Sequence, residues 1–208
     1  MQYPEVEIVV ARLDVDGETA HALAGSLSDE ERQRACRLRF ARHRRRYIVA
    51  RGLLRQLLAS RLGTQPRAVE LSYGAHGKPR VAPGSAAMDL RFNVSHCVDF
   101  ALFAFCRGRE VGIDVEALGP LRDADAIARQ FFSRGEFQSY RALAPRDRER
   151  GFFRRWTRKE ACLKALGASL HSALNEFEVP PGLSLRSFSP APGHAAALAV
   201  ESGGDARL

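Results

Sequence analysis

The sequence predicts an α+β protein built from two similar halves, and three observations carry that expectation. A chain of 208 residues fits one large domain or two small halves sharing a core. A capping-box signature is followed by a helix-terminating glycine twice, at nearly the same interval: 35 residues from Ser28 to Gly63 (28 to 63) and 34 from Ser133 to Gly167 (133 to 167). Strand-like segments follow both intervals. The halves divide near Gly108, into residues 1–107 and 108–208.

In order along the chain, Glu5 to Leu13 alternates and reads as a first strand. Ser28-Asp29-Glu30-Glu31 opens a helix toward Phe40. A longer helix runs from about His43 to Leu62, with Tyr47, Ala50, Leu54, Leu57 and Leu58 at helical spacing. Val69 to Tyr73 is a short strand, and Gly74 to Pro79 a loop. Strands are expected at Arg91 to Ser95, Phe100 to Cys106 (an almost continuous apolar run) and Glu110 to Glu116. In the second half Ser133 caps a short helix, a long one runs from about Asp147 to Leu166, and strands cover Leu183 to Ser189 and Ala195 to Glu201. The tail from Ser202 is expected to fray.

Composition removes several classes. Hydrophobic residues make up 45% and charged residues 27%, as in globular proteins, which argues against wholesale disorder. No apolar run approaches the roughly 20 residues of a membrane helix, and Met1 to Leu13 has no basic n-region, so a cytoplasmic soluble protein is expected. Cys36, Cys97, Cys106 and Cys162 form no CxxC pair, and four reduced thiols are expected, although two disulfides are arithmetically possible. The net charge of +8 is concentrated: twelve arginines and no Asp, Glu or Lys lie between Arg32 and Arg67. Such a segment attracts phosphates, nucleic acid or an acidic protein, unless the arginines simply line a solvated helix face.

Three motifs carry chemistry. In Val111-Gly112-Ile113-Asp114-Val115-Glu116, Asp114 and Glu116 share one face of a strand. Two neighbouring carboxylates need a cation, a proton or solvent between them, and Mg²⁺ suits an oxygen site with few protein ligands. By itself the pair also fits a solvated sheet face. On a helix, Trp156, Glu160 and Lys164 form one stripe at i, i+4 and i+8. A packing tryptophan beside an ordinary Glu–Lys pair would give the same pattern, but Phe152, Phe153, Ala161, Leu163 and Leu166 make this helix largely apolar, so the stripe has to face something specific. Phe92-Asn93-Val94-Ser95-His96 places several hydrogen-bonding groups at a strand end. There is no GxSxG elbow, Walker loop or GxGxxG turn.

FNVSH, VGIDVE and WTRKEACLK, in that order, resemble the three signatures of the 4′-phosphopantetheinyl transferases, specifically the surfactin-type subfamily. His76-Gly77-Lys78-Pro79 is similar to that family's Gly-Lys-Pro element, and Arg46 falls where a CoA-contacting arginine is expected. The resemblance runs from the Ser28 helix to about Gly167 and implies two halves related by a pseudo-twofold, with the active site at their interface. It implies a holo-acyl-carrier-protein synthase type of activity: transfer of the 4′-phosphopantetheine arm of coenzyme A to a serine of an apo acyl or peptidyl carrier protein, releasing adenosine 3′,5′-bisphosphate. Asp114, Glu116 and Glu160 would hold Mg²⁺. Glu160 would serve as general base and Lys164 would sit over the pyrophosphate, both in a catalytic role. Ser95, His96 and Lys164 would contact CoA phosphates, and Lys78 and Arg46 the 3′-phosphate region. Trp156 is assigned to packing. On a regular strand His96 shares a face with Phe92 and Val94, away from Ser95, so the strand has to end or bulge for both to touch CoA.

The resemblance further implies a monomer and an acidic carrier protein, with no nucleic-acid or membrane partner. The competing reading from another class is a nucleic-acid-binding module on the 32–67 segment. Only Phe40 and Tyr47 interleave with its arginines, so no stacking platform is evident. A Mg²⁺-dependent phosphodiesterase could use the same carboxylates but would normally want two metals and more ligands.

Overall fold

A computed structural model describes residues 6–84, 89–168 and 179–202. The expected fraying from Ser202 concerns mainly residues 203–208, which lie outside the described residues, as does Glu5, the first residue of the first expected strand.

The first half contains β1 (Glu7–Arg12), α1 (Gly17–Ala24), α2 (Asp29–Arg37), α3 (Ala41–Leu62), β2 (Leu71–Tyr73), β3 (Pro79–Val81), β4 (Leu90–Cys97) and β5 (Phe100–Arg107). The second contains β6 (Val111–Ala117), α4 (Ala124–Phe131), α5 (Arg134–Arg141), α6 (Pro145–Leu166), β7 (Leu183–Phe188) and β8 (His194–Glu201). The expected α+β class holds. Each half has one three-stranded antiparallel sheet, ordered β1-β5-β4 and β6-β8-β7, with the last strand of the half in the middle. β2 and β3 make a separate small hairpin.

Strand alternation explains the layering. One face of β5, Ala101, Phe103 and Phe105, joins Val49, Leu54 and Leu58 of α3 in one core. Its other face, Leu102, Ala104 and Cys106, packs on Val111, Ile113 and Val115 of β6 and on Ala196, Leu198 and Val200 of β8. β8 in turn presents Ala197 and Ala199 to Ala161, Cys162 and Ala165 of α6. The order of layers is therefore helix, sheet, sheet, helix. β5 is buried on both faces, as its unbroken apolar sequence predicts.

α3 and α6 have 22 residues each and end on left-handed glycines, Gly63 (φ 64°) and Gly167 (φ 65°), a conformation that suits glycine because it has no Cβ. Both expected capping boxes form, with Ser28 accepting from the Glu31 N–H and Ser133 from the Glu136 N–H. Both long helices start earlier than expected, α6 with Pro145 in its first turn. Two short helices went unexpected. α1 is capped by Asp16, which accepts from the Thr19 N–H at 2.7 Å; α4 follows Asp123 with no side-chain cap.

β4 also runs two residues past its expected end and pairs regularly with β5 through Cys97↔Phe100, without a bulge. The two-residue turn that follows holds Val98 at φ 52°, a strained conformation for a β-branched residue. What keeps β4 straight lies across the interface. The N–H groups on the free edge of β6 are accepted by side chains of β4: Ile113 by Asn93 (2.9 Å), Val115 by Ser95 (3.3 Å) and Ala117 by the Cys97 sulfur (3.1 Å). A row of side chains thus stands in for a strand along an otherwise unpaired edge. All four cysteines are free thiols, as expected.

Candidate active site

With Val111, Ile113 and Val115 committed to the core between the sheets, Gly112, Asp114 and Glu116 face α6. The helix can come this close because residue 112 is glycine: a Cβ there would lie 2.0 Å from the Ala161 carbonyl oxygen and 2.3 Å from the Ala165 nitrogen. This contact brings the Glu160–Lys164 turn onto Asp114. Asp114 is 3% exposed, which rules out a solvated sheet face. Its Oδ1 accepts from Lys164 Nζ at 2.6 Å and from the Ser95 hydroxyl at 2.9 Å, and Lys164 Nζ also reaches Ser95 Oγ at 3.1 Å.

Burial pushes the Glu116 and Glu160 carboxyls above the ordinary 4.5, and the neighbouring carboxylates add to it: Asp114 raises Glu116, and Asp114 and Glu116 raise Glu160, against the opposing pull of Lys164. Glu116 also accepts from the Cys97 thiol at 3.7 Å, and Cys97 and Trp156 pull its carboxyl down against the burial. Trp156 stacks on Phe152 at 6.0 Å between ring centroids, a packing role. Three carboxylates therefore share one half-buried region with a single ammonium.

An oxygen-preferring cation fits this donor set. The cluster is anionic in excess, and Asp114 Oδ2 is a buried oxygen without a hydrogen-bond partner among the described residues. The carboxylates are coupled through space rather than gathered into a cage: among the described residues no three His, Cys, Asp or Glu side chains converge as a metal site, and the Lys164 ammonium stands at Asp114.

The remaining sequence-derived residues separate. Arg46, Val94 and His96 line a cavity of about 600 Å³ between α3 and β4, with Arg34, Tyr47 and Arg51. Because β4 does not bulge, Ser95 points the opposite way, to Asp114 and Lys164. Arg46 grips the part-exposed Asp14 with two bonds of 2.8 and 2.7 Å, a guanidinium fork already holding an anion.

Lys78 is not in that cavity, although Gly77 and Pro79 are. It is 9% exposed, and its Nζ donates to Glu110 (2.7 Å), the Val111 carbonyl (3.1 Å) and the Ala165 carbonyl (2.9 Å). All three ammonium hydrogens are used where the first half meets β6 and the end of α6, and burial lowers its pKa against the pull of Glu110. The expected grip on a 3′-phosphate is replaced here by a strut between the halves. Many arginines of the 32–67 segment are likewise committed: Arg51 and Arg55 to Glu31, Arg61 to Glu7 and Arg67 to Asp29.

Known proteins resemble this chain along most of its length. A family model described as the 4′-phosphopantetheinyl transferase superfamily matches residues 110–199, and one described as 4′-phosphopantetheinyl transferase, N-terminal, matches residues 16–107. The 4′-phosphopantetheinyl transferase HetI of Nostoc sp. is 39% identical over 175 residues, 84% of this chain and 73% of that protein. The chain belongs to the 4′-phosphopantetheinyl transferase superfamily. AcpT of Escherichia coli K12, another 4′-phosphopantetheinyl transferase, is 36% identical over 126 residues, 61% of this chain and 60% of its own length. The human L-aminoadipate-semialdehyde dehydrogenase-phosphopantetheinyl transferase is 29% identical over 166 residues, 75% of this chain and 54% of its own. This superfamily member thus spans only part of each relative. No described helix is long and apolar enough to cross a membrane.

Proposed function

We propose that this protein transfers the 4′-phosphopantetheine arm of coenzyme A to a serine hydroxyl of an apo acyl or peptidyl carrier protein, as a surfactin-type transferase of the holo-acyl-carrier-protein synthase kind. The observation that carries the reading is the meeting of Asp114 and Glu116 with Glu160 and Lys164 where the halves join, one strand away from an arginine-lined cavity. Residues 1–107 supply that cavity, residues 108–208 the carboxylates, and one chain is sufficient for a monomeric, cytoplasmic enzyme.

In this reading the 3′-phosphoadenosine end of coenzyme A enters the cavity. Arg46 exchanges Asp14 for a phosphate, and His96 lies beside it. The pyrophosphate rounds the tip of the β4–β5 hairpin, where Cys97, next to His96, already touches Glu116. Lys164 neutralises charge that develops on the pyrophosphate, and Ser95 fixes Lys164 and Asp114 in place rather than binding the ligand from the cavity side. The serine oxygen forms a bond to the phosphorus carrying the arm as the bond to adenosine 3′,5′-bisphosphate breaks. Glu160 takes the serine proton. Its upward-shifted carboxyl is a stronger base than an exposed glutamate. Asp114, Glu116 and Glu160 would hold Mg²⁺, which when bound supplies charge neutralisation to the pyrophosphate.

The surplus arginines of α2 and α3 suit a carrier that is acidic around its serine. The test is mass spectrometry of an apo carrier protein incubated with this protein, coenzyme A and Mg²⁺. Gain of one phosphopantetheine arm is expected, and an unchanged carrier across fatty-acid, polyketide and peptide classes would contradict the reading. Arg46→Ala is expected to raise KM for coenzyme A about tenfold with kcat little changed, in line with the loss of a charge-assisted contact.

A further inference from the structure

A cavity of about 870 Å³ lies in the second half and takes no part in the chemistry above. Arg150, Arg154, Arg155 and Arg158 of α6 line one side, and Phe188 and His194 of the β7–β8 hairpin the other. Its placement repeats that of the first cavity. Each lies between the 22-residue helix of its half and the outer hairpin of its sheet. With the helix-ending glycines as anchors (63 + 104 = 167), Arg46 corresponds to Arg150, Arg51 to Arg155 and Arg55 to Lys159. The supporting acid repeats as well: Glu31 binds Arg51 and Arg55, and Glu136 binds Lys159 at 2.9 Å.

Among the described residues, the charge in this cavity lacks an answer. Of its two carboxylates, Glu136 is held by Lys159 and by the cap of α5, and Asp147 lies 3.7 Å from Arg146. Arg155 donates only to neutral acceptors, the Gly151 carbonyl and Ser139 Oγ (both 2.9 Å), and Arg158 to Ser187 Oγ at 3.4 Å. Burial lowers the Arg155 pKa, and the charges of Arg154 and Arg158 add to that despite Glu136, as in a cluster lacking its anion. Guanidiniums gathered in a concave site suit phosphate oxygens. The reaction centre, in contrast, is not repeated: the α3 positions corresponding to Glu160 and Lys164 are Gln56 and Ser60.

We propose that this cavity is a second binding site for a nucleotide phosphate monoester, the 3′-phosphoadenosine end that coenzyme A and adenosine 3′,5′-bisphosphate share. It binds without turnover. The ligand class rests on the reading of the first cavity; the anion preference rests on the arginines alone.

The experiment is isothermal titration calorimetry of the full chain with adenosine 3′,5′-bisphosphate and, separately, coenzyme A. Two sites per chain are expected for both. The double variant Arg150→Glu with Arg154→Glu, at two exposed positions whose side chains carry no bond among the described residues, is expected to weaken one site at least tenfold and spare the other. Arg46→Ala should do the reverse. A single site indifferent to the double variant would overturn the proposal, as would two sites for coenzyme A but one for the bisphosphate, or a poly-glutamate peptide competing better than the nucleotides. If the double variant removes one site while Arg46→Ala affects neither, the reading of the first cavity fails and the second site stands.

Discussion

α3 and α6 are one structural solution used twice. Each is 22 residues long, ends on a left-handed glycine, follows a capping-box helix whose glutamate reaches back to it, and covers one face of a three-stranded sheet. What differs is the face toward the partner strand. At the positions of Gln56 and Ser60, α6 carries Glu160 and Lys164, and opposite them β6 carries Asp114 and Glu116, whereas β1 packs Val9 and Ala11 into the core with α3. The scaffold carboxylate Glu31 is held below its ordinary value: burial pushes it up, but hydrogen bonds from Arg55 and the Ser28 N–H and the charge of Arg51 outweigh that. The site carboxylate Glu160 is pushed above it by burial and its neighbours. Stability and chemistry thus place opposite demands on the same residue type, and the protein meets them in different halves.

The comparison is broken most severely at Lys164. Lys164→Met is expected to cut transfer by about 10³-fold and to destabilise the fold by about 3 kcal/mol, because it strands the buried Asp114 charge. The mirror change Ser60→Lys in α3 should leave transfer unaltered; carrier modification and thermal melts of both variants read this out.

Glycines at the two helix contacts come next. Gly112→Ala drives a Cβ into the backbone of α6 and should cost about 3 kcal/mol by denaturant titration, with the site lost as well. Gly52→Ala meets Leu23 at 2.7 Å and should cost about 2 kcal/mol without altering kcat.

Glu31→Gln leaves Arg55 buried without its carboxylate and should cost about 3 kcal/mol, and Glu136→Gln less, because Glu136 is a third exposed and answers to one ammonium rather than two guanidiniums. The pH dependence follows by sign. Glu31 and Glu110 have folded pKa values below the ordinary 4.5, so their stabilisation is full above it and is lost as pH falls through the lower folded values. Glu116 and Glu160 have raised values, so they favour the fold below 4.5 and withdraw that support as pH rises through the folded values. Melts from pH 3 to 7 should show Glu31→Gln flattening the acid limb and Glu160→Gln raising stability at the neutral end.

Much of this was legible in the sequence because it is local. Capping boxes, helix-ending glycines and apolar β5 are set by neighbours along the chain, and VGIDVE with the Glu160–Lys164 spacing fixes which side chains share a face. What escaped depends on the packing of one half against the other. β4 stays straight through His96 because Asn93, Ser95 and Cys97 serve the free edge of β6, and this parts Ser95 from His96. Lys78 looks like a phosphate ligand beside two loop glycines, yet its partners are Glu110 and the carbonyls of Val111 and Ala165, distant in sequence. α1 did leave a local signal, Asp16 three residues before Thr19.

The most direct measurement pairs two readouts on one variant, Glu160→Gln: carrier modification by mass spectrometry and the melting temperature at neutral pH. Loss of modification together with an unchanged or higher melting temperature is the result expected for a buried carboxylate kept for chemistry. Retained modification, or a protein that melts well below the parent, would contradict that assignment.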